Sequence, residues 1–402
     1  MASTTRDLTV RIGALVPLTR PGWVEAGQHL LAGLELAVRE VNEAGGIVGR
    51  PLELVVRDTA ADPQRAAAAI AELARMGVTA VAGEYHSVVA RAAAARADSL
   101  GLPFLCSSAV LDALTEQPTQ WVARLAPAQS RGWQVYADFL LNAGYRRIAV
   151  TAASSVYWES GARILRDYLS PRGGTVIEPD MRALAPAAVC DELAGNHATA
   201  LLLLVGHPEP AVSIVRSVRR DQRLAGIMIG APAGQPEFAE WVRLLGDDSA
   251  AIPFLRYLSE RLSPLGARVE TALRERLAEA PSFVAFEGYD TITVLADVLR
   301  SRGARRARIA ESWPHIAVEG TRGQIQFSRT PGISVWQWTW APIQVVDRDP
   351  GNVIAFGSFM SASLSLATPV PARGDRDARG PGFASGRETS CLLMLCPGWL
   401  AR

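Results

Sequence analysis

Short apolar stretches alternate along most of the chain with longer segments whose apolar residues recur every three or four positions. Residues 8–18 alternate and end apolar, as a strand does, before a turn around Pro21 and Gly22. From 25 to 43, Leu30, Leu31, Leu34, Ala37, Val38 and Val41 return at helical spacing, and Ala44-Gly45-Gly46 stops the helix where positive φ is needed. A strand at 52–58 follows. Asp62-Pro63 opens an alanine-rich helix to about 75, 78–82 reads as a strand, Ser87 caps a helix to about 99, and 103–107 reads as another strand. Strict alternation of short apolar strands with helices of ten to twenty residues predicts a parallel α/β sheet covered on both faces.

After a connection near 124–127 the plan repeats. Helices at 130–142, 157–169, 186–194 and 209–219 alternate with strands at 147–152, 175–177, 199–205 and 226–230, a second doubly wound lobe. Two such lobes imply a cleft between them. Beyond Pro253 come long helices at 264–279 and 282–300, then strands at 323–327 and 334–346. Residues 368–402 are rich in proline, glycine and arginine, with no apolar periodicity before Cys391, and residues 366–402 read as a disordered tail.

Composition removes several functions. All 41 basic residues are arginine, so the Walker phosphate loop, the pyridoxal Schiff base and the lysine general base are excluded. The 40 acidic residues leave a net charge of +1, which favours neither nucleic acid nor an anionic membrane. The longest strongly apolar stretch, 199–206, falls far short of the roughly 20 residues that span a bilayer, so a soluble chain without membrane insertion is expected. Met1 to Val10 lacks the basic, apolar and small-residue regions of a secretory signal; the expectation is a cytoplasmic protein if the chain is full length, and an extracytoplasmic or periplasmic one if a signal has been removed. Cys106, Cys190, Cys391 and Cys396 have no histidine placed to complete a zinc site, and no cofactor or metal is expected. Gly45-Gly46-Ile47-Val48-Gly49 follows a helix where a dinucleotide loop follows a strand, so it reads as a turn. Asp58, His86 and Ser87 make a catalytic triad only on paper, because there is no Gly-x-Ser-x-Gly elbow, and no enzyme is expected.

Several phrases, in order, resemble the type I periplasmic (solute) binding proteins, specifically the branched-chain amino-acid (Leu/Ile/Val) receptor family of ABC importers. They are Ile12-Gly13-Ala14-Leu15-Val16-Pro17; the helix and turn from Ala37-Val38-Arg39-Glu40 to Gly46-Ile47-Val48-Gly49-Arg50; Arg57-Asp58 through Asp62-Pro63; and Gly83-Glu84-Tyr85-His86-Ser87. Ser107-Ser108-Ala109, Gly288-Tyr289-Asp290 and Val318-Glu319-Gly320-Thr321-Arg322-Gly323 continue the series, which covers roughly residues 8–350. The resemblance implies two Rossmann-like lobes joined by three hinge crossings, near 124–127, 250–254 and 320–325. Lobe 1 would then hold 1–125 plus 253–322, and lobe 2 would hold 126–252 plus 323–350.

Ligands of such sheets sit beyond the carboxyl ends of strands, where helix N-termini offer backbone N–H groups. Ser87 occupies such a position, with Tyr85 and His86 beside it, and the Ser107-Ser108-Ala109 loop is the second implied contact. Here the chain departs from the family, with Val110 where a hydroxyl is common. Tyr157 matches the aromatic residue that begins a second-lobe helix, and His207 lies where a tyrosine often sits. The sharpest departure is Ala233, in place of the acid that pairs with a ligand's α-ammonium. An unpaired buried ammonium loses on the order of 2 to 5 kcal/mol. The expected ligand therefore has an anionic or amide-like oxygen end and no obligatory ammonium, held by Ser87 and the Ser107-Ser108 loop under Trp23, Tyr85 and Tyr157. Glu209 is an alternative acid whose commoner role is at a helix start. Two functions remain open: an extracytoplasmic receptor with an ABC permease as partner, and a cytosolic amide or small-molecule sensor with a regulatory partner.

Overall fold

The computed structural model describes residues 9–178, 185–349 and 352–361; the expected tail, with Cys391 and Cys396, lies outside them. The first half-chain follows the alternation closely: β1 (Val10–Val16), α1 (Val24–Glu43), β2 (Leu52–Asp58), α2 (Pro63–Arg75), β3 (Ala80–Gly83), α3 (Ser87–Ser99), β4 (Phe104–Cys106) and β5 (Val122–Arg124). The repeat comprises α4 (Gln129–Asn142), β6 (Arg147–Ala152), α5 (Val156–Leu169), β7 (Thr175–Ile177), α6 (Pro186–Gly195), β8 (Ala200–Leu204), α7 (Ala211–Arg220), β9 (Met228–Gly230) and α8 (Ala239–Leu245). Then follow β10 (Phe254–Arg256), α9 (Pro264–Leu277), α10 (Phe283–Arg302), α11 (Arg306–Ala310), β11 (Val318–Gly320), β12 (Gly323–Ile325), β13 (Phe327–Ser328), β14 (Trp336–Trp338), β15 (Gln344–Asp349) and β16 (Asn352–Ser361).

Two sheets carry the lobes. One has the order β13-β14-β5-β4-β3-β1-β2 and the other β7-β6-β8-β9. All pairs among β1 to β5 and among β6 to β9 are parallel, and the inner strands are buried almost end to end, as a sheet covered on both faces requires, while the edge strands β2 and β7 are partly exposed. A single bridge from Ala231 to Phe254 brings β10 to the edge of the second sheet, and β10 pairs antiparallel with β15.

The final strands divide between sheets, whereas the sequence reading expected everything after 323 in the second lobe. β14 runs parallel to β5 in the first sheet, and β15 alone crosses to β10. Two of the three crossings move with it: chain leaves the second sheet after β10, at 257–263, and returns between β14 and β15, at 339–343. Gly320 and Gly323 instead pair in the tight β11–β12 hairpin. The apolar run at 334–346 breaks into two strands at Ala341-Pro342, since proline gives no N–H to a ladder. Gly45 and Gly46 take φ of 94° and 72° directly after α1, so that glycine pair is a helix stop.

Lobe 1 is held by α1 against α10. A Cβ on Gly33 would lie 1.9 Å from the Ala285 carbonyl oxygen, and one on Gly288 would lie 2.4 Å from that of Leu30. Neither backbone can retreat, so only glycine allows this approach. Beneath the helices, Arg322 is fully buried with its Nε 3.0 Å from Asp290 Oδ2 and its Nη1 3.1 Å from Glu287 Oε1. Cys106 and Cys190 are both buried free thiols.

We expect Gly33→Ala to lower stability by about 1–3 kcal/mol through overpacking, while Gly195→Ala, whose Cβ meets nothing within 4 Å, costs nothing. Urea denaturation of both variants checks this; equal stabilities would contradict the close-approach argument.

Candidate ligand-binding cleft

Between the lobes lies a cavity of about 220 Å³. Its first-lobe wall is built at the carboxyl ends of β1 to β4. There Asp58 Oδ1 accepts from the N–H groups of Leu18 and Ala60, at 2.8 and 2.9 Å, and ties two loops together. Ala60 and Ala61 are both left-handed, with φ of 48° and 57°, and Ala61 faces the cavity. Strained residues of this kind cluster at functional sites. Next to them, buried Glu84 accepts from Thr59 Oγ1 at 2.8 Å and from the N–H of His86 at 3.0 Å.

Six of the nine residues chosen from the sequence line the cavity: Trp23, Tyr85, His86, Ser87, Ser108 and Tyr157. Ala233 also lines it, so the position expected to lack an acid does face the site. Ser107 and Ala109 do not; both are fully buried behind the wall, where the N–H of Ser107 donates to the Gly83 carbonyl at 2.9 Å. His207 is also displaced from the cavity. Its side chain is fully buried and stacks on Trp23 at 4.7 Å, with Nε2 3.4 Å from Glu240 Oε2, within ion-pair distance but outside hydrogen-bond geometry. His207 thus backs the aromatic wall rather than touching the cleft. Glu209 accepts from the N–H of Ser213 at 3.3 Å, the helix-start role.

Ser87 is not the cap of α3. That position is His86, and the Ser87 hydroxyl turns inward to accept from the N–H groups of Val110 at 3.1 Å and Leu111 at 3.3 Å. The loop after β4 competes successfully for the oxygen because its two N–H groups have no ladder partner. With His86 at the cap making no side-chain cap hydrogen bond, the N–H groups of Ser87, Val88 and Val89, all three cavity residues, have no acceptor among the described residues. A 13-residue helix points its positive end at the cleft there. His86 is held by its neighbours, Nδ1 3.2 Å from Glu84 Oε1 and Nε2 accepting from the Trp23 N–H at 3.4 Å. Asp58 is taken up by its loops, so the paper triad never assembles.

Sequence reading missed Tyr257, Phe283, Ser155 and Trp158 in the lining. The first two arrive from the crossing after β10 and from the start of α10, long-range placements that no local spacing reports. Burial pushes the phenol pKa values of Tyr85, Tyr157 and Tyr257 up, so all three stay protonated.

Contacts between lobes close the rim. Glu25 at the start of α1 accepts from the N–H groups of Ala239 and Glu240 at 2.8 and 2.9 Å, capping α8 from the opposite lobe. Glu237 returns the favour to α10, accepting from the Phe283 N–H at 3.0 Å while paired with Arg256 at 2.9 Å. Arg20 meets Glu240 at 2.7 Å.

Two doubly wound lobes, three crossings and a cleft at the strand ends define a two-lobed binding protein of type I periplasmic architecture. The chain belongs to the periplasmic binding protein family, whose family model matches residues 9–338. It is similar to a Leu/Ile/Val-binding protein homolog 8 of Brucella abortus, 32% identical over 132 residues, 33% of this chain and 32% of that one. It is also similar to the Leu/Ile/Val-binding protein of Escherichia coli, 28% identical over 38% of this chain and 41% of that one. The matched stretches thus span about a third to two-fifths of those curated relatives. Among solved structures, the leucine binding protein LivK of Thermotoga maritima superposes with a TM-score of 0.75 at 20% identity, over 88% of this chain and 98% of that one. LivJ of Streptococcus pneumoniae, in complex with isoleucine, gives 0.73 at 23% over 88% and 99%, and a solute binding protein of R. palustris, in complex with benzoate, gives 0.73 at 16% over 88% and 96%. At these identities the structural likeness establishes the fold. No helix among the described residues is long and apolar enough to cross a membrane.

Desolvation pushes His207 down to about 4, against the pull of Glu240. The unfolded chain therefore takes up this proton first, and the stability present above about pH 6.5 is lost as pH falls toward 4. Glu287, pushed up to about 7, works in the opposite direction, so the comparison must isolate the histidine. Between pH 7 and pH 4 we expect wild type to lose roughly 2–3 kcal/mol more than His207→Phe; parallel urea-melt profiles would contradict a buried neutral imidazole.

Proposed function

We propose that the protein is an extracytoplasmic solute-binding receptor that closes its lobes around a small carboxylate- or amide-bearing molecule and delivers it to an ABC permease. The observation that carries this reading is the α3 N-terminus: three backbone N–H groups without acceptors, opening on a cleft whose Ala233 position offers no carboxylate. An anionic or amide oxygen satisfies such groups, whereas an α-ammonium has no acid at the expected place. Trp23, Tyr85 and Tyr157 from the first reading, joined by Trp158, Tyr257 and Phe283, supply the apolar body of the site. Ser87 contributes its O–H, since its oxygen is already spent as an acceptor. Ser108 contributes its hydroxyl, and His86 positions Trp23.

The structural neighbours include receptors in complex with isoleucine and with benzoate, so this architecture accommodates both an amino acid and a simple carboxylate. These neighbours and the family favour transport over cytosolic regulation. In this reading lobe 1 comprises 9–124 with 264–338, and lobe 2 comprises 129–256 with 344–361.

A thermal-shift and calorimetric screen of leucine, 4-methylpentanoate, 4-methylpentanamide and benzoate tests the proposal. The ammonium-free acids or the amide should bind at least tenfold tighter than leucine; a clear preference for leucine would overturn it.

A further inference from the structure

One carboxyl near the cleft shares its counter-charge with a second buried acid. Arg322 is fully buried and serves two acids that are also fully buried, Asp290 and Glu287. Asp290 is completely provided for: its Oδ1 accepts from the Thr321 N–H at 2.6 Å and Thr321 Oγ1 at 2.9 Å, and its Oδ2 accepts from Arg322 Nε at 3.0 Å. Among the described residues Glu287 accepts from Arg322 Nη1, at 3.1 Å on Oε1, while its Oε2 and Arg322 Nη2 are left without hydrogen-bond partners. One guanidinium cannot neutralise two buried carboxylates, and the acid with three donors is the one that stays ionised. That leaves Glu287 as the acid whose ionisation burial opposes most.

Ser108 connects Glu287 to the ligand site. Ser108 and Tyr85, both in the cavity wall, lie beside Glu287, as does the cavity residue Tyr257 from the crossing after β10. Among the described residues the hydroxyls of Tyr85 and Tyr257 make no hydrogen bond, and the Ser108 hydroxyl donates to Ser107 Oγ at 3.3 Å while lying close enough to Glu287 to favour its charged form. The charged or titratable groups that face Glu287 are Arg322 from the β11–β12 turn, Asp290 on α10 itself, Tyr85 and Tyr257. Glu237 and Arg124 lie one layer further out, against those tyrosines. β4 adds the buried Cys106 thiol, pushed up to about 12 and so uncharged. α9 brings Arg268, which is taken by Glu40 and Tyr289, and α1 packs at Gly288 through Leu30 and Leu34.

We propose that Glu287 is a specificity-determining group of this cleft: as a neutral acid it donates through Ser108 toward a carboxylate ligand, and on ionising it expels that ligand. This rests on the carboxylate reading above. The ligand class it selects is a monoanionic carboxylic acid, bound together with the proton that Glu287 retains. Burial raises Glu287 to about 7, which puts the transition in an accessible range.

The experiment is calorimetry with benzoate and 4-methylpentanoate from pH 5.5 to 8.5 on the full chain and on Glu287→Gln, whose amide keeps a neutral donor. Wild-type affinity should fall about tenfold per pH unit above the transition, and the glutamine variant should bind within about threefold of the same affinity across the range. Binding of either acid with a flat wild-type profile, or a variant profile as steep as wild type, overturns the inference and leaves the carboxylate reading standing. No binding of either acid at any pH overturns both. A ligand-free measurement guards against a misfolded variant: the infrared difference spectrum of wild type across pH 6 to 8 should lose one protonated carboxyl band, and absence of that band overturns the proposal.

Discussion

A helix whose first turn is buried needs acceptors for its leading N–H groups, and the described residues supply none for the first three of α3. His86, at the cap position, makes no side-chain cap hydrogen bond, and the 107–111 loop takes the Ser87 oxygen. Leaving buried N–H groups unsatisfied costs about 1–3 kcal/mol each, so the closed cleft is incomplete as a set of protein contacts. Everything around it conforms to that condition. The strands stop short to form the floor, Asp58 and Glu84 stiffen the loops, and aromatic rings exclude water from the sides.

The rim solves the same problem with the protein's own groups. Glu25 supplies both carboxylate oxygens to the start of α8, and Glu237 supplies one to the start of α10, each reaching from one lobe into the other. Closure thus satisfies helix ends at the rim through side chains and, in the proposed receptor, at the centre through the ligand. Trp23 links the two regions, stacked between His207 and the neighbouring Phe238 of the second lobe at 4.7 and 4.6 Å while presenting an edge to Tyr85.

The fold was legible because its local signals agree with one another: Asp62-Pro63 caps and starts α2, Gly45-Gly46 ends α1, and apolar runs such as 199–206 can only be buried strands. The lobe boundaries were not, because the choice of sheet for β14 and β15 depends on partners more than 80 residues away, β5 and β10. Within the site, positions just beyond strand ends were readable, which is why Ser87, Ser108 and Tyr157 fall on the cavity. Side-chain direction was not: Ser107 and Ala109 turn behind the wall, and His207 is covered by Trp23. Tyr257 and Phe283 carry no local signature, since tertiary packing alone brings them to the cleft.

The central claim is chemical: the cleft accepts an oxygen-bearing end and does not require an ammonium. The most direct measurement is native mass spectrometry of the protein as purified, followed by release and identification of whatever the closed lobes retain. A carboxylic acid or amide without an α-ammonium is the result this account predicts; a stoichiometric free α-amino acid would contradict it.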